Sequence, residues 1–391
     1  KALASRAAII ERIVEAARIP VQAPNYRTAK PRVKQPTRAA ILPIYDCQFG
    51  QLVLPQDTPL GIGGFSTEIF DQRLQRWLDA VTSSLRDYST SHRVDEMVIV
   101  FGGDLVEGAD IFAGQAWQLE LDPARQTVEF ARRFTQAVST LVGFARTELG
   151  CKRIMCLGVP GNHGKVGGKK SGATPSTMSW DWLALEWLRD ALRAEPIDQW
   201  GIEPGGALMF ETLGHRFLVV HGDEIKGWGG LPFYGLAKYD GRAIRMSGEI
   251  HDYMLMGHHH QPASIPTGGG GEVIVSGDWV GANNLSRHIA AASRPQQRLL
   301  LVAEKWGVTE NVPIYHRIQM IVQMIVTERS YCDYFCWIPN SDNVEGPNTF
   351  LRRVHLAGAA GIIRKLEAFY KEFVLTEKEP PRKKPKRRKK V

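Results

Sequence analysis

Short apolar runs that each stop at a polar motif recur along this chain, and they constrain the fold more than any other feature. AAILPIYD (39–46), EMVIVFGGD (96–104), RIMCLGVPGNH (153–163), HRFLVVHGD (215–223), DYMLMGHHH (252–260) and EVIVSGDW (272–279) read as strands. Between several of them lie FDQRLQRWLDAVTSSL (70–85), VEFARRFTQAVSTLVGFARTEL (128–149) and MSWDWLALEWLRDALRA (178–194), whose apolar residues recur at helical spacing. Alternation of the two patterns predicts an α/β sandwich beginning near residue 39. Each polar motif falls at the C-terminal end of a strand, where α/β folds gather ligand-binding residues, so function is expected on one edge.

Outside that core the sequence changes character. Residues 1–18 place Ile10, Ile13, Val14 and Ala17 on one helical face, and the stretch to residue 38 is rich in proline and basic residues, predicting an amphipathic helix and an extended basic linker (1–38). The core is expected over 39–312, an extension of unassigned role over 313–380, and a basic tail over 381–391. The formal charge of +8 belongs largely to that tail: RKKPKRRKK (382–390) holds eight basic residues, and without them 41 basic residues face 41 acidic ones. The body is close to neutral.

The 43% apolar content suits a globular protein, and no run of 18 or more apolar residues occurs. The first 20 residues lack the pattern of a secretory signal. These features predict a soluble intracellular protein, cytoplasmic, with nuclear targeting by the basic tail as an alternative. Five scattered cysteines do not form a disulfide framework, and the Cys332/Cys336 pair lacks the second pair that a structural zinc site needs.

Five pieces carry the chemistry: Asp46-Cys47-Gln48, Gly103-Asp104, Gly161-Asn162-His163, His221-Gly222 and Gly257-His258-His259-His260. Carboxylates, amide oxygens and imidazoles together suit borderline divalent ions such as Mn²⁺, Fe or Zn²⁺. Two such ions about 3.5–4 Å apart, sharing one carboxylate, neutralise a phosphate ester and make water nucleophilic near neutral pH. His259, between two candidate ligands, is expected on the opposite side by the two-residue strand period. His92, His215, His251, His288, His316 and His355 have no motif around them and read as solvated or core residues, whereas Asp223 and Asn283 are candidates for supporting the ligands.

In order and spacing, YDCQ, GGD, GNH, HGD and GHHH resemble the five blocks of the calcineurin-like metallophosphoesterases, over residues 39 to about 311. The resemblance implies a four-layer α/β/β/α sandwich. It implies one metal held by Asp46, Gln48, Asp104 and His260 and a second by Asp104, Asn162, His221 and His258, with Asp104 as the bridge and Mn²⁺ the favoured ion. His163 would then stabilise the transition state or protonate the leaving oxygen. Two positions depart from the family pattern: Gln48 stands where histidine is usual, predicting a weaker first site, and Gly164 replaces an acidic residue, so whatever orients His163 must come from elsewhere.

The substrate is read from the surroundings. Lys165, Lys169 and Lys170 in the glycine-rich stretch after His163, with the basic linker and tail, suit a polyanionic backbone. The expectation is a nuclease-like phosphodiesterase that binds nucleic acid. A phosphomonoesterase acting on phosphoprotein or nucleotide is the alternative enzyme, and a nucleic-acid-binding or assembly protein with a decayed metal site is the alternative from another class.

Overall fold

A computed structural model describes residues 37–61, 63–90, 92–167, 175–225, 232–267, 271–283, 294–304, 307–308, 335–337 and 349–351. The chain divides into two compact units, Lys1–Thr327 and Glu328–Val391. In the second, the described elements are two antiparallel strands, Phe335–Trp337 and Thr349–Leu351. The expected N-terminal helix and linker up to residue 36, the basic tail and the Cys332/Cys336 side chains lie outside the described residues.

Six strands form the first sheet: β1 (Thr37–Ile44), β2 (Arg93–Phe101), β3 (Arg153–Gly158), β4 (Gln199–Ile202), β10 (Leu300–Ala303) and β11 (Gly307–Val308), ordered β11-β10-β1-β2-β3-β4. β1 to β4 run parallel, with β10 and β11 added antiparallel at one edge. The second sheet, ordered β5-β6-β7-β9-β8, has parallel β6 (His215–Val220), β7 (Tyr253–Met256) and β9 (Glu272–Val275), flanked by antiparallel β5 (Ala207–Thr212) and β8 (Ala263–Pro266).

Alternate residues of the strands serve different layers, which explains their continuous apolar runs. Leu42, Ile44, Ile99, Phe101, Ile154 and Cys156 pack on helices α1 (Thr67–Tyr88), α2 (Pro123–Phe144) and α3 (Trp180–Ala191) through Phe70, Trp77, Phe134, Leu141, Leu185 and Leu188. Their neighbours Ile41, Val98, Val100, Met155 and Leu157 face the other way and meet Phe217, Val219, Tyr253, Leu255 and Ile274 of the second sheet. Leu218, Val220, Met254, Met256, Val273 and Val275 in turn face Leu236 of α4 (Phe233–Ser247). The result is the four-layer α/β/β/α sandwich.

Helix ends follow local chemistry. Ser66, Asp122 and Ser179 cap α1, α2 and α3 by accepting hydrogen bonds from the amides of Ile69, Arg125 and Trp182. α2 begins at Pro123, earlier than the pattern predicts, and ends at Phe144, after which a π-helical turn (Ala145–Leu149) stops at Gly150 with φ 71°. α4 lies in a stretch that the patterns above leave unassigned; Leu236, Tyr239 and Ala243 recur there at helical spacing, although Gly235 and Gly241 lower its helix propensity. The run 252–260 is a strand only over Tyr253–Met256; the three histidines belong to the turn that follows. Since that turn holds His258 at φ 67° and His260 at φ 55°, the two-residue strand period does not govern His259. Among the described residues no helix is long and apolar enough to cross a membrane.

Candidate metal centre

The loops leaving β1, β2, β3, β6 and β7 meet at one edge of the two sheets. β1 leads to Asp46 and Gln48, β2 to Asp104, β3 to Asn162 and His163, β6 to His221, and β7 to His258 and His260. Backbone hydrogen bonds lace these loops together: Asp46 donates its amide to Gly103 O (3.1 Å), Gln48 to Asp104 O (2.8 Å) and Gly257 to His221 O (3.0 Å). The His258 amide donates to Asp46 Oδ2 (2.9 Å), tying the second sheet's loop to the first sheet's.

The backbone here is forced into conformations that side chains resist. Asp46, Gln48, Asp104, His258 and His260 all have φ between 43° and 67°, and among the described residues only Leu60 and Leu213 share this with a side chain other than glycine. Each left-handed residue of this kind costs on the order of 1 kcal/mol or more, and such strain concentrates at sites where geometry is held for function. The loops also approach too closely for side chains at Gly103 and Gly161. A Cβ at Gly103 would stand 2.6 Å from the Gly161 amide, and one at Gly161 would collide with Asp104 Oδ1.

Asp104, His221 and His258 offer ligand atoms all within 4.8 Å of one another, a spacing that can hold a cation. His221 Nε2 lies 3.0 Å from Asp104 Oδ2, yet the pair lacks the alignment of a hydrogen bond, as expected of two donors that converge on a third centre. The other ring nitrogen, Nδ1, lies 3.0 Å from Gly102 O, which keeps Nε2 available. Burial opposes charge on His221, but Asp104 outweighs it and lifts the imidazole to about 10. Burial likewise opposes charge on Asp104, and His221 and His163 overcome it and hold the carboxyl well below its ordinary value. Burial and the charge on His221 push His258 down to about 4, so that ring is neutral at pH 7.

The other half joins Asp46, Gln48 and His260. His260 Nε2 lies 3.6 Å from Asp46 Oδ1 and 3.2 Å from Gln48 Nε2, and its Nδ1 lies 3.1 Å from Asp278 Oδ2. Burial lowers the His260 ring, but Asp46 and Asp278 more than compensate and raise it well above its usual value. Two amide oxygens, Gln48 Oε1 and Asn162 Oδ1, are buried without any hydrogen-bond partner. An orphaned buried acceptor costs about 1–3 kcal/mol, and a cation removes that cost. The donor set therefore fits divalent metal ions.

Beside this cluster the His163 amide donates to Asp104 Oδ1 (2.7 Å), while its ring Nδ1 lies 3.1 Å from Oε2 of the fully buried Glu107. Burial would lower the His163 pKa; Glu107 and then Asp104 reverse this and raise it to about 9. Glu107 is the orienting group that Gly164 does not supply. Gly164 has no room for an acidic side chain, since a Cβ there would stand 2.9 Å from Asp181 Cγ. Asp181, buried on the first turn of α3, accepts hydrogen bonds from the amides of Leu105, Val106 and Gly161 and so braces both loops.

Three buried carboxylates that contact this cluster escaped the sequence reading: Glu107, Asp181 and Asp278. Asp278 repeats the strand-Gly-Asp pattern of Gly103-Asp104 in SGDW and so carried a signal, whereas Glu107 and Asp181 carried none. Of the three lysines, Lys165 is 51% exposed and pairs with Asp223 at 2.8 Å; Lys169 and Lys170 lie outside the described residues. Asn283 is buried. The motif-free histidines lie elsewhere: His92 stacks on Tyr88, His215 lies 3.1 Å from Ala303 O, and His251 pairs with Asp240 at 2.8 Å. His288, His316 and His355 lie outside the described residues.

No protein-family profile matches the chain, and no curated protein does. Solved structures similar to it include Vps29 complexed with Zn²⁺ from Entamoeba histolytica, at 14% identity over 67% of this chain and 84% of that one, with TM-score 0.28. A hypothetical protein from Pyrococcus horikoshii OT3 shares 13% identity over 73% of this chain and 93% of its own (TM-score 0.35). A predicted phosphoesterase from Streptococcus pneumoniae TIGR4 shares 10% over 70% and 95% (TM-score 0.24). At these identities and scores the likenesses carry no argument about chemistry, and the fold rests on the layers and strand orders above.

Proposed function

We propose that this chain is a two-metal phosphoesterase that hydrolyses phosphodiester bonds of nucleic acid, as a nuclease does. The observation that carries the reading is the meeting of Asp46, Gln48, Asp104, Asn162, His221, His258 and His260 on strained loops, with two buried amide oxygens left unsatisfied. Asp46, Gln48, Asp104 and His260 would hold one cation and Asp104, Asn162, His221 and His258 the other, with Mn²⁺ favoured over Fe or Zn²⁺. Bound there, two divalent ions supply neutralisation of the phosphate and a water acidic enough to attack near neutral pH.

The remaining steps fall to the protein. Glu107 fixes the His163 ring and favours its protonated form, so His163 holds a proton for the departing sugar oxygen. Asp181 keeps the loops of Asp104 and Asn162 in register through three amides. Lys165, half-exposed beside this cluster, supports attraction of a polyanion, tempered by its pairing with Asp223.

A substrate panel with Mn²⁺ tests this. Hydrolysis of bis-p-nitrophenyl phosphate and of DNA, weakened as salt rises, is expected. Cleavage of p-nitrophenyl phosphate alone, indifferent to salt, would replace the reading with a phosphomonoesterase, and failure to bind or use any metal would replace it with a decayed site.

A further inference from the structure

Residues 107–118 between β2 and α2 form a loop that is pinned from below and apolar above. Gln115, fully buried, accepts from the Ile111 amide (2.8 Å) and donates to Glu107 O and Glu107 Oε1 (2.8 Å each). Gln126 of α2, also buried, accepts from the Gly108 amide at 2.7 Å. At the far end the Leu52 amide donates to Gln118 O (2.8 Å). This anchored loop nevertheless turns two large rings toward water: Phe112 is 41% exposed and Trp117 91%.

Phe112 is the ring with a defined place at the site. Its centroid lies 6.2 Å from that of His163, edge to face at 65°. A group leaving toward His163 departs beside an exposed aromatic surface whose backbone is already fixed, so little conformational entropy is lost when something stacks on it. An alkyl alcohol has no flat face to offer such a surface, whereas a nucleobase presents a π face that stacks on it.

We propose that Phe112 is a specificity-determining residue that stacks on the nucleobase of the leaving nucleoside, making base-bearing esters the preferred substrates. The inference rests on the phosphoesterase reading for the identity of the leaving side. It does not need the metals for the contact itself.

The test uses the full chain with thymidylyl-thymidine and its analogue lacking the base on the leaving side. In EDTA, equilibrium dialysis is expected to show about tenfold tighter binding of the base-bearing compound, the scale of one base-aromatic stack. F112A should lose that preference by weakening only the base-bearing compound, and F112W should keep it. Equal binding of both compounds by the unaltered chain, no measurable binding of either, or equal weakening of both by F112A would overturn the proposal, the last by reducing Phe112 to a support for His163. Phe112-dependent binding of a phosphotyrosyl peptide but not of the dinucleotide would overturn it as well. Parallel assays with Mn²⁺ separate the two readings: base preference in binding without any hydrolysis would sink the phosphoesterase and leave the stacking contact standing.

Discussion

The two halves of the candidate metal centre are built to different standards. In the half around Asp104, His221 and His258, two imidazoles and a carboxylate converge within 4.8 Å, and the amide oxygen of Asn162 is buried without a partner. In the half around Asp46, Gln48 and His260, one imidazole must serve, and Gln48 stands with φ 43° in a position that an amide, not a ring, occupies. A neutral amide oxygen is a weaker donor than imidazole for a transition metal. The lesson is that the halves should load separately, with the Gln48 half the weaker.

The largest effect should come from removing Asp104, the carboxylate proposed to serve both halves. Asp104→Asn is expected to cut activity on the order of a thousandfold or more and to reduce bound metal in both halves, read by steady-state kinetics and elemental analysis. Loss of one metal with the other retained would break the bridging role. Glu107→Gln leaves both halves their donors, so it should lower kcat about a hundredfold while Mn²⁺ dependence stays unchanged; a shift in Mn²⁺ dependence instead would place Glu107 in metal binding.

Asp278→Asn separates the halves, because Asp278 Oδ2 braces His260 of the Gln48 half while its Oδ1 accepts from the Gly281 amide. Mn²⁺ affinity of the weaker half should fall about 10- to 100-fold, with the tighter half unmoved in a two-site titration. Proton release sharpens the comparison further. His221 is raised to about 10 by Asp104 and His260 is raised well above its usual value by Asp46 and Asp278, so each half must shed one proton on loading at pH 7. Calorimetry in buffers of different ionisation enthalpy should report about two protons per chain, and only one if a single half fills.

The same pairing has a consequence for the metal-free fold. A His221 pKa above its unfolded value near 6.5 adds stability that is fully present below about pH 6.5 and is lost as pH rises toward 10, which thermal melts across that window in EDTA would follow. The smallest effect is expected from Gln48→His, about a few-fold lower Mn²⁺ for half-maximal activity. An unchanged value would mean that Gln48 does not reach the ion.

Much of the cluster could be read from the chain because its candidate donors sit at strand ends, where an apolar run and a glycine mark the turn. Asp104 and His221 stand out for that reason. Glu107 and Asp181 do not, since a carboxylate within a loop or on the first turn of a helix is ordinarily a surface or capping group. Only packing shows both to be fully buried, one against an imidazole and the other against three amides. α4 was less legible because two glycines lower its helix propensity, and the short edge strands because they are too brief to alternate visibly.

The sequence by itself determined the α/β layering and which polar residues stand at the strand ends, because side-chain period and strand-end motifs are local properties that neighbouring residues suffice to express. Tertiary structure alone decided that Glu107 faces His163, that Asp181 occupies the space Gly164 leaves, and that Asp278 holds His260. These contacts join residues 17 to 56 positions apart and depend on burial, and both follow from how the sheets and helices pack rather than from any local pattern.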